Sequence, residues 1–160
     1  MLNGVRAGDS AEPGREKRRA GGGTVEMATI DYIEGIGPRY ARQLRKSGVR
    51  TTEALLKRGA TRRGRRELAD KASLTEKQVL EWVNRADLMR VKGIGSEYSD
   101  LLESAGVDTV KELRRRNAVA LTAKMTQINE KSRLVRRLPT TAMVGQWVDF
   151  AKTLEPVVKY

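Results

Sequence analysis

The chain lacks two residue types that carry much of protein chemistry: its 160 residues include no cysteine and no histidine. Without cysteine, disulfides and thiolate metal sites are excluded. Without histidine, the commonest general base and the commonest metal ligand are missing. Because no run approaches the ~18 apolar residues of a membrane span and the N-terminus lacks the apolar stretch of a secretory signal, we expect a soluble, cytoplasmic protein.

Aromatic residues are also scarce, at 4% of the chain, and apolar residues of all kinds make up 39%. The core must therefore be built from leucine, valine, isoleucine, alanine and methionine, which suits packed helices.

Positive charge, by contrast, is abundant. The 32 lysines and arginines exceed the 20 aspartates and glutamates, and the formal net charge is +12. The excess is +1 in residues 1–29, +6 in residues 30–88 and +5 in residues 89–160. Strong positive charge favours polyanionic partners, although it also suits a merely well-solvated surface.

An internal duplication is centred on the tripeptide Gly-Ile-Gly. Residues 33–56 are IEGIGPRYARQLRKSGVRTTEALL, and residues 91–113 are VKGIGSEYSDLLESAGVDTVKEL. A shift of 58 positions aligns identical residues, which are Gly35/Gly93, Ile36/Ile94, Gly37/Gly95, Tyr40/Tyr98, Leu44/Leu102, Gly48/Gly106, Val49/Val107, Thr51/Thr109 and Leu55/Leu113. Trp82 and Trp147 align at a shift of 65, which indicates a seven-residue insertion in the second copy. Such self-similarity predicts a repeated structural unit.

The duplication divides the chain into three parts. Residues 1–27 mix glycine and charge without apolar periodicity, so we expect a disordered, basic extension there; alternatively, Met27 is the natural start. We call residues 28–90 the first segment and residues 91–160 the second segment, and we expect them to pack as one unit.

Helix signals recur through both segments. Pro38 occupies a favourable first helical position, and Gly48 and Gly106 suit left-handed helix ends. Thr75 and Gln78 form a predicted capping box. No strand pattern competes with these signals, so we predict an all-α fold. The tryptophans and the paired tyrosines are expected in the core, although a tyrosine beside a turn could instead stack on a sugar or base.

The Gly-Ile-Gly turn between helices has two possible interpretations, one functional and one structural. Its glycines permit positive φ while the isoleucine anchors the turn, and the amides of the following helix end suit a phosphate oxygen. We therefore predict phosphate binding by Gly35, Gly37, Gly93 and Gly95. The alternative is a purely structural tight turn.

These residues resemble the helix-hairpin-helix motif, and residues 28–155 resemble a bacterial family known as domain of unknown function 4332. The resemblance implies tandem helix-hairpin-helix repeats and sequence-independent binding of duplex DNA. Relatives of the motif also serve as structural or protein-contact modules, which implies a scaffold role in a larger assembly as the alternative.

Basic side chains complete the predicted site. Arg39 and Lys92 flank the two turns, where Glu34 and Glu97 oppose them. The densest run of positive charge supplies Lys57, Arg58, Arg62, Arg63, Arg65 and Arg66. If six phosphates are contacted, the slope of log K against log salt should be about −5.

An enzymatic role is not expected. Some helix-hairpin-helix proteins are glycosylases that use an aspartate after the hairpin, but Asp100 is the only aspartate there and its equivalent is Arg42. We predict a non-enzymatic protein without metal, cofactor or small-molecule substrate. If it binds DNA, we expect it at the bacterial nucleoid.

Overall fold

The computed structural model describes residues 15–20 and 23–160. Two strands come first, β1 (Arg15–Ala20) and β2 (Gly23–Ala28), which pair antiparallel. These strands lie within the predicted extension, residues 1–27, and the adjoining Ala28. The part of that prediction on residues 1–14 and 21–22 lies outside the described residues.

From Ile30 onwards the described chain is helical, which confirms the all-α prediction for both segments. A single 3-10 turn (Ile30–Tyr32) precedes the first Gly-Ile-Gly turn. Eight α-helices follow within the described residues: α1 (Pro38–Lys46), α2 (Thr52–Arg58), α3 (Arg62–Ala72), α4 (Glu76–Leu88), α5 (Ser96–Ser104), α6 (Val110–Leu113), α7 (Ala118–Ser132) and α8 (Thr141–Ala151).

The helix boundaries have local causes in the sequence. A threonine side chain at the N-cap accepts the amide N–H three residues later in four helices, and these threonines are Thr51, Thr61, Thr75 and Thr140. Such caps satisfy donors that the helix itself leaves unpaired. Gly48 and Gly106, at φ +89° and +91°, follow the ends of α1 and α5. The predicted capping box of Thr75 and Gln78 is confirmed.

Two hydrophobic clusters form the core. The first is drawn from Ile30 to Ala86, and the second from Leu88 to Ala151. Trp82 and Trp147 are buried in their respective clusters, as predicted. The ring of Tyr40 lies 5.2 Å from that of Trp82, and the ring of Tyr98 lies 5.1 Å from that of Trp147. The tyrosines thus pack on the tryptophans, although both remain half-buried.

The C-terminal residues return to the first segment. Val158 is buried in the first cluster, and the Lys159 amide donates to the Ala60 carbonyl at 2.7 Å. The first core is therefore completed by residues from the far end of the chain.

Among the helices of the described residues, none has the length and apolar character that crossing a membrane requires.

Candidate nucleic-acid interface

The two Gly-Ile-Gly turns have nearly the same backbone. Gly35 and Gly93 adopt φ +94° and +97°, a region that side chains disfavour. Gly37 and Gly95 are extended and stand at the N-caps of α1 and α5. The isoleucine between each pair of glycines is buried, which confirms its predicted role as the anchor of the turn.

The first glycine of each turn is needed for packing. A Cβ at Gly93 would lie 2.9 Å from Nε1 of Trp147. A Cβ at Gly35 would lie 3.5 Å from Nε1 of Trp82 and 3.3 Å from Nη1 of Arg85. Each turn therefore rests on the tryptophan of its own segment, which accounts for these two glycines without any ligand.

The second glycine of the first turn faces open space. Gly37 is exposed, and a Cβ built on it would meet no atom within 4 Å. No side chain caps α1 or α5, in contrast to the threonine-capped helices. The amide end of α1 is thus accessible to a ligand, and helix N-termini favour anions through their amides and dipole.

The two turns lie side by side, despite the 58 positions between them. The amide N–H of Glu34, in the first turn, donates to the Ser96 hydroxyl at the start of α5 over 2.9 Å. This contact places the first turn directly against the N-terminal end of α5, the helix that follows the second turn.

The predicted charged neighbours of the turns are all solvent-exposed. Arg39 follows the first turn and Lys92 precedes the second, and neither forms an ion pair within the described part of the chain. Glu34 and Glu97 are exposed as well. Both cations are free to meet a phosphate, and both carboxylates would oppose it.

Arg65 corrects one prediction for the basic run. Its side chain is only 4% exposed. Nη1 donates to the Gly59 and Ala60 carbonyls at 2.9 and 3.2 Å, and Nη2 donates to the Lys159 carbonyl at 2.8 Å. Burial lowers its pKa, with further lowering by Arg62. This guanidinium holds the C-terminal residues in place and cannot reach a nucleic acid.

Arg58 is exposed but also has a structural contact. Its Nη1 donates to the Ser47 carbonyl at 3.2 Å, at the end of α1. The equivalent residue of the second segment, Arg116, donates to the equivalent Ala105 carbonyl at 3.5 Å. Both arginines thus stabilise a helix C-terminus, where positive charge is favourable.

The remaining residues of the run lie on the surface. Arg63 pairs with Glu67 at 3.0 Å and Arg66 with Glu76 at 3.8 Å, all with exposed side chains. Lys57 and Arg62 are exposed too.

The predicted site residues do not form one continuous group. Arg58 contacts the C-terminal end of α1, whereas Gly37 caps its N-terminal end. The two are separated by the nine residues of α1, which is a rise of about 13 Å.

The sequence predictions missed Arg85 of α4. Its Nη1 donates to the Glu34 carbonyl, Nε donates to Glu103 at 2.8 Å and Nη2 to Asp100 at 3.1 Å. This arginine therefore links the first turn to α5. Burial raises the pKa of Glu103, while Arg85 acts in the opposite direction. A lone arginine in a helix gives no sequence signal of such a role.

Comparison with protein families gives a match over residues 34–154, from the first turn to just after α8. The chain belongs to the family described as Domain of unknown function (DUF4332). The DUF4332 match includes both Gly-Ile-Gly turns and ends before Val158 and Lys159, the residues that close the first core. No curated protein and no solved structure matches the chain.

The DUF4332 chain shows no cluster of aspartates and glutamates suited to a metal ion anywhere in its described part. Asp100, the aspartate weighed for glycosylase chemistry, is instead ion-paired with Arg85. The features that remain for a ligand are the uncapped amide ends and the exposed cations.

Proposed function

We propose that this protein is a non-enzymatic module that binds duplex DNA through its phosphates, without sequence preference. In this proposal the two segments are tandem helix-hairpin-helix repeats whose turns meet the nucleic acid backbone. The observation that supports it most is the open, uncapped amide end of α1 at Gly37.

The physical argument starts from the unpaired amides. The first amides of a helix have no partner within it, and Pro38 fills the one position where an amide is dispensable. A phosphate oxygen can accept from the remaining amides beside the positive end of the helix dipole. Exposed Arg39 adds a charge next to this position.

Such contacts position a nucleic acid but do not read its bases. The exposed cations and the net charge of +12 favour association with any polyanionic backbone. A protein with this activity belongs at the bacterial nucleoid in the cytoplasm, and that location is part of the proposal.

The test is fluorescence anisotropy of a labelled random-sequence 20-base-pair duplex titrated at 50, 100 and 200 mM salt. Gly37→Glu places a carboxylate at the open end of α1, and Gly37→Gln places a neutral side chain of the same size there. We expect Gly37→Glu to weaken binding by at least tenfold, and Gly37→Gln to weaken it by a few-fold.

Two controls make the test specific. Gln127→Glu, on the exposed face of α7, changes the net charge by the same amount at a distant position and should have little effect. Thermal unfolding must show that all variants fold. Failure of the wild-type protein to bind, or equal behaviour of Gly37→Glu and Gln127→Glu, would refute the proposal.

A second candidate function is that of a scaffold subunit with purely structural turns. It is favoured by the close approach of Gly35 and Gly93 to their tryptophans, because packing alone then explains two of the four glycines of the Gly-Ile-Gly turns. In that case the anisotropy experiment would show no salt-dependent binding.

A further inference from the structure

The helices that follow the two turns carry opposite charges. The shift of 58 positions aligns three cations of α1 with three acids of α5, namely Arg39 with Glu97, Arg42 with Asp100, and Arg45 with Glu103. The duplication has thus preserved the turns but inverted the charge pattern beside them.

The acids of α5 serve an internal purpose. Asp100 and Glu103 both bind Arg85, at 3.1 and 2.8 Å, with side chains that are mostly buried. Glu97 is exposed and would repel a phosphate at the amide end of α5. That end also contacts the first turn through Ser96. Helix α5 therefore stabilises the first turn, through Arg85 and through Ser96.

The cations of α1, in contrast, face solvent. Arg39, Arg42 and Lys46 are exposed, and none has an ion pair within the described chain. Only Arg45 has a partner, Asp31 at 3.7 Å. At 100° per residue, Arg39, Arg42 and Lys46 lie within an arc of about 60° on one side of the helix. We call these three residues the α1 stripe.

The dimensions of the α1 stripe suit one phosphate backbone. From Arg39 to Lys46 the helix rises about 10 Å, and one strand of DNA advances about 3.4 Å along its axis per nucleotide. The stripe therefore spans about three nucleotides, and it begins beside the open amide end at Gly37.

We infer that a single nucleic acid backbone lies along the α1 stripe, and that the second turn takes no part in binding. The inference rests on the proposed function and narrows it to the first segment. The α1 stripe adds Arg42 and Lys46, which the sequence predictions did not include, and it omits Gly93, Gly95 and Lys92.

The experiment compares two charge-matched double variants. Arg42→Gln/Lys46→Gln removes two cations of the α1 stripe, and Lys131→Gln/Arg136→Gln removes two exposed cations of the second segment. Both are titrated by anisotropy against the labelled 20-base-pair duplex and against one of its strands alone. All four changes are at exposed side chains, and thermal unfolding verifies the folds.

We expect the α1 pair to reduce the slope of log K against log salt by about 2 on duplex, from about 0.9 for each phosphate contact. Affinity at 100 mM salt should fall at least tenfold, against threefold or less for the control pair. If the α1 pair binds both probes more weakly, the inference is supported for any single backbone. If it binds only one probe more weakly, that probe is identified as the ligand.

The outcomes separate the two proposals. If both pairs weaken binding equally while Gly37→Glu still weakens it at least tenfold, the α1 stripe is overturned and the proposed function stands. If the wild-type protein binds neither probe, both proposals are overturned.

Discussion

The two Gly-Ile-Gly turns differ by 3° in the φ of their first glycine, and each rests on a tryptophan that a tyrosine contacts in nearly the same way. The helices that follow them nevertheless carry opposite charges. What differs is the use of the surface: α1 presents its charges to solvent, whereas α5 directs Asp100 and Glu103 to Arg85. The backbone of the turn is the same in both copies, whereas the charges of α1 and α5 differ with the contacts that each helix makes.

The two segments also differ in how their cores are completed. The second cluster draws on residues between Leu88 and Ala151. The first requires Val158, and Arg65 fixes the backbone beside it. The first segment therefore depends on the end of the chain, and changes at that contact should affect stability most.

The largest effect is expected from Arg65→Met, which leaves the Gly59 and Lys159 carbonyls without their donor, while the Ala60 carbonyl keeps only the Lys159 amide. Because unpaired buried acceptors are costly, we expect the free energy of unfolding to fall by about 3 kcal/mol. The neighbouring change Arg62→Met, at an exposed side chain, should cost about 0.5 kcal/mol or less. Urea unfolding measures both, and similar losses would contradict the structural role of Arg65.

The next effect distinguishes the two turns. Alanine at either first glycine meets the penalty for positive φ, about 1–3 kcal/mol. At Gly93 the new methyl also meets the buried Trp147 indole, whereas at Gly35 its nearest neighbour is the flexible end of Arg85. We expect Gly93→Ala to cost about 3 kcal/mol and Gly35→Ala about 1.5 kcal/mol. Chemical unfolding would contradict this contrast if Gly35→Ala were the more destabilising change.

The smallest effect concerns pH. Burial raises the pKa of Glu103 in the folded protein, so folding favours its protonated form. This contribution to stability is fully present below the ordinary carboxyl pKa and is lost as pH rises through the raised value. Relative to Glu103→Gln, the wild-type protein should gain stability on going from about pH 6.5 to 4.5, by about 0.5 kcal/mol or less.

The control is an exposed cation of α1 that has no carboxylate partner within the described chain. Arg42→Gln removes no titrating carboxyl, so its unfolding free energy should follow the wild-type pH dependence. Urea titrations at several pH values compare the three proteins, and a pH dependence of the opposite sign for Glu103 would contradict the role of burial.

The sequence was sufficient for features that local chemistry determines. The helical fold, the caps at Thr75 and Gly48, and the buried tryptophans follow from periodicity and residue preferences, and all are confirmed. The strand pair β1–β2 was not predicted, because β1 consists almost entirely of charged residues and the alternation of polar and apolar residues in β2 covers only residues 24–27.

Only part of the candidate site could be predicted from the sequence, because long-range contacts decide which arginine side chains remain exposed to solvent. Arg65 stands in a run of basic residues that looks uniformly exposed, and only its contact with Lys159, 94 positions away, reveals its burial. Arg85 likewise acts through residues of the first turn and of α5, which are distant from it in the sequence. The opposite charges of α1 and α5 are visible in the aligned sequences. Their consequence for ligand binding follows only from the structure, in which the acids of α5 bind Arg85.

The contact between Arg65 and Lys159 also has a consequence for synthesis of the protein. Val158 and Lys159 are translated long after residues 28–90, so the first segment cannot reach its final packing until they have left the ribosome. Domains usually fold in order from the N-terminus, but here the second cluster, which ends at Ala151, can pack before the first cluster receives Val158.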